Sequence, residues 1–275
     1  MIRENVLNLY KRKFEEIYPL VCFQTNYATV LDLVDMCIHS GGSPVLSDEI
    51  EEAHEMVEFS KTDAVVMNLG TINRPYLNLM IETGKTANRI GVTIILDPAA
   101  ITASNFRREA VETLLREVKF SIIKGNLGEI KFLLGYTTKN KGIDSFEDES
   151  TGEKYCLELA RKLNTVVVMT GKVDIITDGN RISTVGNGNE RLKRICGMGS
   201  SVASIMATYS GLTEDYFISA TLGAVIMGVA SEKAEERMTL KDGIRSYKAY
   251  VHDEVYLLSL EELEKRMKMD GYQAN

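Results

Sequence analysis

The run Val92-Thr93-Ile94-Ile95-Leu96-Asp97-Pro98 carries the reading of the fold. Val, Ile and Thr favour a strand, and Asp-Pro ends it. The strand is apolar on both faces, so both faces need cover, as in a mostly parallel sheet between helical layers. Similar β-rich runs stand at 20–23, 64–69, 121–124, 165–169, 173–177 and 181–185. Helical patterns separate them. Leu31, Val34, Asp35 and Ile38 fall at helical spacing, as do Leu77, Met80, Ile81 and Lys85 before Gly91. Others run over 106–118, 127–135, 153–163, 200–210 and 214–236, and a long C-terminal helical segment follows Gly243. Strands alternating with helices predict an α/β fold with an open sheet, here a single domain over 1–275. Asp178-Gly179-Asn180 predicts an antiparallel hairpin at one end of the sheet. The polar, acidic stretch 137–152 reads as a surface excursion.

Composition narrows the function. Apolar residues make up 44% and charged residues 26% of the 275 residues, the mix of a soluble globular protein. Lys plus Arg is 32 against 39 for Asp plus Glu, a formal charge of −7, which opposes a nucleic-acid footprint. Cys22, Cys37, Cys156 and Cys196 form no CxxC pair and no zinc spacing, which suits a reducing compartment. The N-terminus is charged throughout and is no signal peptide. The uncharged apolar stretch 217–230 is shorter than the roughly 18–20 residues that span a bilayer. The expectation is a cytoplasmic protein with no membrane and no nucleic-acid partner.

In open α/β sheets, ligands bind beyond the C-terminal ends of the strands. The residues there are Gln24-Thr25-Asn26, Gly70-Thr71, Asp97-Pro98, Gly125-Asn126 and Thr170-Gly171. Gly84-Lys85-Thr86 is not a phosphate loop, because Leu79 occupies the required earlier glycine position and the segment lies in a helical pattern. Gly197-Met198-Gly199 lacks the third glycine of a dinucleotide fingerprint, Val202 standing there. It does lead into a helix expected to start near Ser200 or Ser201, with Val202, Ile205, Met206 and Tyr209 as its apolar stripe. Glycines and the free N–H groups of a helix start make an anion site, and Arg191, Lys193 and Arg194 upstream add positive potential. A flexible turn with a serine N-cap fits the same residues. Asp97 suits a metal or substrate site, or simply a turn. Glu129, three residues after Asn126, can serve Mg²⁺, complete a helix cap, or do both. Thr170-Gly171-Lys172-Val173-Asp174 can offer a hydroxyl to phosphate, or merely connect two strands.

In this order, these residues resemble the hydroxyethylthiazole kinases of the ribokinase-like superfamily. The resemblance rests on Pro19-Leu20-Val21-Cys22-Phe23-Gln24-Thr25-Asn26-Tyr27-Ala28-Thr29, Gly41-Gly42-Ser43-Pro44-Val45-Leu46-Ser47-Asp48 and Asn68-Leu69-Gly70-Thr71. It continues through Asp97-Pro98, Gly125-Asn126 with Glu129, Lys141-Gly142-Ile143-Asp144-Ser145, Thr170-Gly171 with Asp174, and the glycine loop after Cys196. What it implies is a ribokinase-like fold, and ATP- and Mg²⁺-dependent phosphorylation of the hydroxyethyl group of 4-methyl-5-(2-hydroxyethyl)thiazole in thiamine salvage. By the same resemblance Asn26, Leu46, Gly70 and Gly197 would bind the thiazole alcohol. Lys124, Asn126, Thr170 and Gly171 would approach ATP, Asp97 and Glu129 would serve Mg²⁺, and Ser200 with Gly199 would stand at the catalytic position. The resemblance further implies a homotrimer with thiazole pockets between subunits.

Several positions depart from the family pattern. Cys22 replaces its histidine, Leu31 and Asp35 two asparagines, and Ala100 and Thr102 glycines. Lys124 replaces an arginine, losing the planar fork suited to phosphate. Cys196 replaces a threonine, and Ser200 the loop cysteine at the position where ribokinase-like enzymes carry a base. Two other functions therefore stand beside the thiazole kinase: a catalytically weak or inactive nucleotide- or thiazole-binding homologue, and a kinase for another small alcohol.

Overall fold

The structure is a computed structural model and describes residues 1–136, 140–141, 144–145 and 151–274. Its strands are β1 (Leu20–Gln24), β2 (Ser43–Leu46), β3 (Ala64–Asn68), β4 (Thr93–Asp97), β5 (Ile122–Asn126), β6 (Asn140–Lys141), β7 (Asp144–Ser145), β8 (Val166–Thr170), β9 (Asp174–Thr177), β10 (Arg181–Val185) and β11 (Met269–Gln273). The helices are α1 (Ile2–Lys11), α2 (Val30–His39), α3 (Glu55–Glu58), α4 (Arg74–Ile90), α5 (Asn105–Glu117), α6 (Leu127–Leu133), α7 (Gly152–Leu163), α8 (Met198–Ser210), α9 (Tyr216–Arg237), α10 (Ile244–Leu257) and α11 (Leu260–Arg266). Most of the expected surface excursion over 137–152, with Gly142-Ile143, lies outside the described residues. Within it, β6 and β7 pair antiparallel.

Among the described residues, nine strands form one sheet in the order β11-β10-β9-β8-β5-β4-β3-β1-β2. Pairing is parallel from β2 through β8, and antiparallel from β8 to β9, β10 and β11. The apolar character of the strands on both faces has its cause here. In β4, Ile95 packs into a core under α8 and α9, while Ile94 and Leu96 pack into a second core under α4 and α5. The helices thus cover the sheet from two sides, the α/β architecture expected from the alternation.

Four differences from the sequence reading have physical reasons. First, β2 begins with Ser43-Pro44; proline is confined to sheet edges, and β2 is an edge strand. Second, the C-terminal segment is not all helix. It breaks at Leu258 and Met267 and ends in β11, so the expected hairpin β9–β10 is not the sheet's end. Third, the stripe read on α2 faces outward. Leu33, Met36 and Cys37 are the buried residues, while Leu31 is 73% and Ile38 48% exposed. That helix is apolar on two sides, and periodicity alone cannot say which side meets the sheet. Fourth, α9 runs 22 residues and is long and apolar enough to cross a membrane, but it is mostly buried inside this fold.

Gly84 of the Gly-Lys-Thr segment lies within α4, where a Cβ would fall 2.5 Å from a methyl of Val118. It is a helix-packing glycine. Gly228 does the same for α9: a Cβ there would lie 2.6–2.9 Å from Asn187, including its backbone carbonyl. The neighbour is backbone and cannot swing away, so the helix must shift. Gly228→Ala should therefore lower stability by about 1–3 kcal/mol, despite the better helix propensity of alanine. Urea unfolding at equilibrium reads this, and a midpoint equal to or above the parent's would refute the close packing.

Candidate active site

Strands β1, β3, β4, β5 and β8 end side by side and place Gln24, Asn68, Asp97, Asn126 and Thr170 along one edge. Asn68 is the hub. Its Nδ2 donates to Asp97 Oδ2 at 2.8 Å and to Ser200 Oγ at 3.0 Å. Its Oδ1 accepts from Asn26 Nδ2 at 2.8 Å and from the Gly70 N–H at 2.9 Å. An amide has two N–H donors and an oxygen with two lone pairs, so every hydrogen-bonding position of Asn68 is used. Asp97 accepts only, which fixes which way the amide points.

Lys124 is the buried cation of the site, with Nζ 3.3 Å from Asp97 Oδ2. The same ammonium lies 4.0 Å from where a Cβ on Gly199 would sit, under the first turn of α8. That helix starts at Met198, two residues before the earlier of the expected starts, with Gly197 as its N-cap at φ +90°. Met198 is buried in the core and draws the chain into the helix early. A Cβ at Gly197 would lie 2.6 Å from Thr29 Cγ2, so only glycine fits. Neither serine is an N-cap. The Ser201 N–H and Oγ both donate to the Gly197 carbonyl, at 2.8 and 3.0 Å. The N–H groups of Gly199 and Ser200 precede that first helical bond and belong to the positive end of the helix dipole. Of the basic cluster upstream, Arg191 is drawn instead to Glu235 on α9 at 2.6 Å, while Lys193 and Arg194 are exposed.

Glu129 completes the expected helix cap. Asn126 and Glu129 form a complete capping box, with Glu129 Oε2 accepting from the Asn126 N–H at 2.8 Å and Asn126 Oδ1 from the Glu129 N–H at 2.9 Å. Its other oxygen accepts from the Ala100 N–H at 3.1 Å. Ala100, where the family pattern has glycine, holds φ 59°, a left-handed conformation that costs a residue with a Cβ about 1–2 kcal/mol. Burial first, and then the negative charge of Asp97, push the Glu129 carboxyl up to about 7, with Lys124 and the two backbone N–H groups pulling the other way.

Asn26, Gly70, Gly197, Gly199, Ser200, Lys124, Asp97, Asn126 and Glu129 are thus brought together. Gly70 touches Asn26 directly, since a Cβ there would lie 2.6 Å from Asn26 Nδ2. Thr170 lies opposite Asn126 in the sheet, its hydroxyl 3.5 Å from the Gly125 carbonyl, and the Gly171 N–H donates to Asp174 at 2.9 Å. Leu46 stands apart from this network at the end of β2, half exposed beside Phe23 in register. Cys22, in place of the family histidine, is buried and its thiol is pushed up to about 12 by burial, so it stays protonated. Cys196, beside the glycine loop, is an exposed free thiol. Sequence reasoning gave no role to Asn68, although its Asn-x-Gly-Thr setting after a strand was the available signal. Thr29 under the loop, and Arg107 on α5, were also missed. An arginine in a helix's first turn ordinarily reads as a solvated face.

Among the described residues, no group of three or more His, Cys, Asp or Glu could hold a metal ion. Asp97 and Glu129 are two buried carboxylates with hard oxygen donors. Mg²⁺ commonly takes one or two carboxylates and completes its shell with water and phosphate, so this pair fits a cation that arrives with a nucleotide.

Comparison with known proteins defines the class first. The chain is similar to the pyridoxal kinase of Staphylococcus aureus in complex with AMP-PCP, with a TM-score of 0.65 over 94% of this chain and 100% of that one. At 11% identity this shows the fold alone, that of the ribokinase-like kinases. It is similar more fully, with a TM-score of 0.83, 29% identity and 98% coverage of both chains, to a hydroxyethylthiazole kinase protein from Pyrococcus horikoshii OT3. The model of the hydroxyethylthiazole kinase family matches residues 12–261. The hydroxyethylthiazole kinase of Alkaliphilus oremlandii is 38% identical over 97% of this chain and 98% of its own length. That of Clostridioides difficile is 37% identical over 93% and 96%. The chain belongs to the hydroxyethylthiazole kinase family, and is a kinase.

The raised carboxyl of Glu129 gives a pH signature. Its folded pKa, about 7, lies above the ordinary 4.5, so the native state holds its proton more tightly than the unfolded chain. Stability should fall as pH rises through this window, by about 3 kcal/mol in all between about pH 4.5 and pH 8. In Glu129→Gln that pH-dependent loss should disappear, although the single amide oxygen replaces two carboxylate oxygens that accept from Asn126 and Ala100. Urea melts of both proteins in metal-free buffer across the window measure it. The same slope in both would remove Glu129 as its source.

Proposed function

We propose that this kinase transfers the γ-phosphoryl group of ATP to the hydroxyethyl group of 4-methyl-5-(2-hydroxyethyl)thiazole, in the cytoplasmic salvage of thiamine, as a single-domain chain. The observation that carries the reading is the Asn68 amide, which ties Ser200 at the start of α8 to Asp97 and to Asn26. Asn26, Gly70 and Gly197, with Leu46 from the edge strand, bind the alcohol. Asn126, Thr170 and Gly171 bind ATP on the other side of Asp97, and Lys124 lies between the two.

Phosphoryl transfer needs positioning and charge stabilisation more than covalent help from the protein. The N–H groups of Gly199 and Ser200, with the Lys124 ammonium beneath them, supply positive charge where the transferred group develops negative charge. Asp97 and Glu129 would hold Mg²⁺, which neutralises phosphate charge when bound. Ser200 Oγ accepts from Asn68, so its own proton is free to be donated to an oxygen of the alcohol or the phosphate. A serine hydroxyl in that posture orients the alcohol but does not take its proton, and the chain turns over slowly for want of a base.

The homotrimer implied by the family resemblance is supported by apolar side chains that the chain leaves uncovered. Tyr27, next to Asn26 in the chain, is 84% exposed, Leu31 73% and Leu46 50%. Neighbouring copies burying this stripe would close the pocket. Multi-angle light scattering at micromolar concentration should give three chains per particle, and a monomer would remove both the trimer and the shared pocket.

The activity is tested by ADP release with the thiazole alcohol, ATP and Mg²⁺, alongside a panel of other primary alcohols. Turnover with the thiazole alcohol is expected. Binding of ATP without ADP release from any alcohol would assign a binding role instead, and turnover of a different alcohol alone would reassign the substrate. Ser200→Asp should raise kcat by about 100-fold, the low end of the usual contribution of a general base, and Ser200→Cys by less. The aspartate can accept the Asn68 N–H as the serine does. If neither variant exceeds the parent, the missing base is not what limits the rate.

A further inference from the structure

The β3–β4 ladder ends where the Leu69 N–H donates to the Asp97 carbonyl. Just beyond, the two connections that carry the site run free of the sheet. One holds Gly70 against Asn26, and the other brings the Ala100 N–H to Glu129. The side chain of Arg107 lies across both. Its Nη1 donates to the Leu69 carbonyl and, at 3.2 Å, to that of Ala99; its Nη2 donates to the Gly70 carbonyl at 2.5 Å. Arg107 sits in the first turn of α5, and its own N–H is capped by Ser104 at 3.3 Å, so the guanidinium springs from a fixed base. All of its side-chain hydrogen bonds among the described residues go to carbonyls, and burial alone lowers its pKa. A partly buried charge spent on main-chain carbonyls is poorly explained as an ion pair, and well explained as a clamp between two loops.

We infer that Arg107 is a positioning residue, whose planar fork sets the gap between the alcohol-side loop at Gly70 and the metal-side loop at Ala99-Ala100. It touches neither substrate nor the reacting atoms. Its effect runs through Gly70 to Asn26 on one side, and through Ala100 to Glu129 on the other. Its hydrogen bonds among the described residues go to Leu69, Ala99 and Gly70, and not directly to Asn126, Thr170 or the loop at Gly197.

The kinetic arm of the test rests on the thiazole-kinase reading, so a second readout is independent of turnover. In Arg107→Met, kcat should fall about 10- to 100-fold, because small misplacements of reacting groups cost that much. The KM for the alcohol should rise, and so should the Mg²⁺ concentration that half-saturates turnover, because the Gly70 and Ala100 loops are both loosened. Arg107→Lys keeps the charge but not the fork and should recover only a minor part. Free guanidinium at millimolar concentration should restore turnover to Arg107→Ala more than it affects the parent. Hydrogen exchange should quicken at residues 69–72 and 99–103 in the Met and Lys variants, and not at 197–201. This pattern is expected even if the parent proves inactive on the thiazole alcohol, which would sink the substrate and not the clamp. Unchanged exchange in those two segments overturns the inference. So does a variant that loses thermal stability while keeping parental kcat and alcohol KM.

Discussion

A buried primary amide at the end of a strand can serve many masters only if each of its hydrogen-bonding positions faces a different one. Asn68 meets that condition. Asp97 is a pure acceptor and demands the N–H side, which leaves the oxygen to the Asn26 side chain and the Gly70 backbone. The second N–H then falls to Ser200, the third residue of α8. Asn26 and Gly70, Asp97, and the start of α8 are thereby held in one geometry by a single side chain. Parallel pairing in register, with Asn68 opposite Asp97, makes this possible.

Around that hub, charge is balanced tightly. Asp97 and Glu129 are buried together with Lys124 as the cation that reaches Asp97. The pair leaves Glu129 partly unrelieved, and its raised pKa is the sign of this. Such a site is costly to keep without a positive ligand and well suited to receiving one. The outer layer is backbone. The Ala100 N–H reaches Glu129 through a left-handed residue, and Gly197 turns in a conformation that Thr29 would deny to any side chain. Charged groups in the middle are set by main-chain turns at the rim.

Much of the fold was legible because its elements are long or strongly patterned. Strand β10 occupies the five residues expected of it, and the left-handed Gly91 closes α4 where the pattern ended. What misled was local apolarity with two possible destinations. On α2, both Leu31-Val34-Ile38 and Leu33-Met36-Cys37 could have met the sheet, and the second set did. The C-terminal strand β11 was hidden because Asp270 and Gly271 are poor strand formers, and it exists by pairing with β10.

The sequence by itself determined the α/β alternation, the strand ends that would carry the site, the Asn126–Glu129 cap and the family resemblance, because each is written in contiguous residues whose spacing carries its own chemistry. Only the tertiary structure decided that Asn68 joins positions 26, 97 and 200, that Lys124 reaches from β5 beneath α8, and that Arg107 ties the loops after β3 and β4. Those partners lie from 8 to 132 positions apart in the chain. Hydrogen bonds of 2.8–3.3 Å leave no trace in the order of residues until a sheet lays the strand ends side by side.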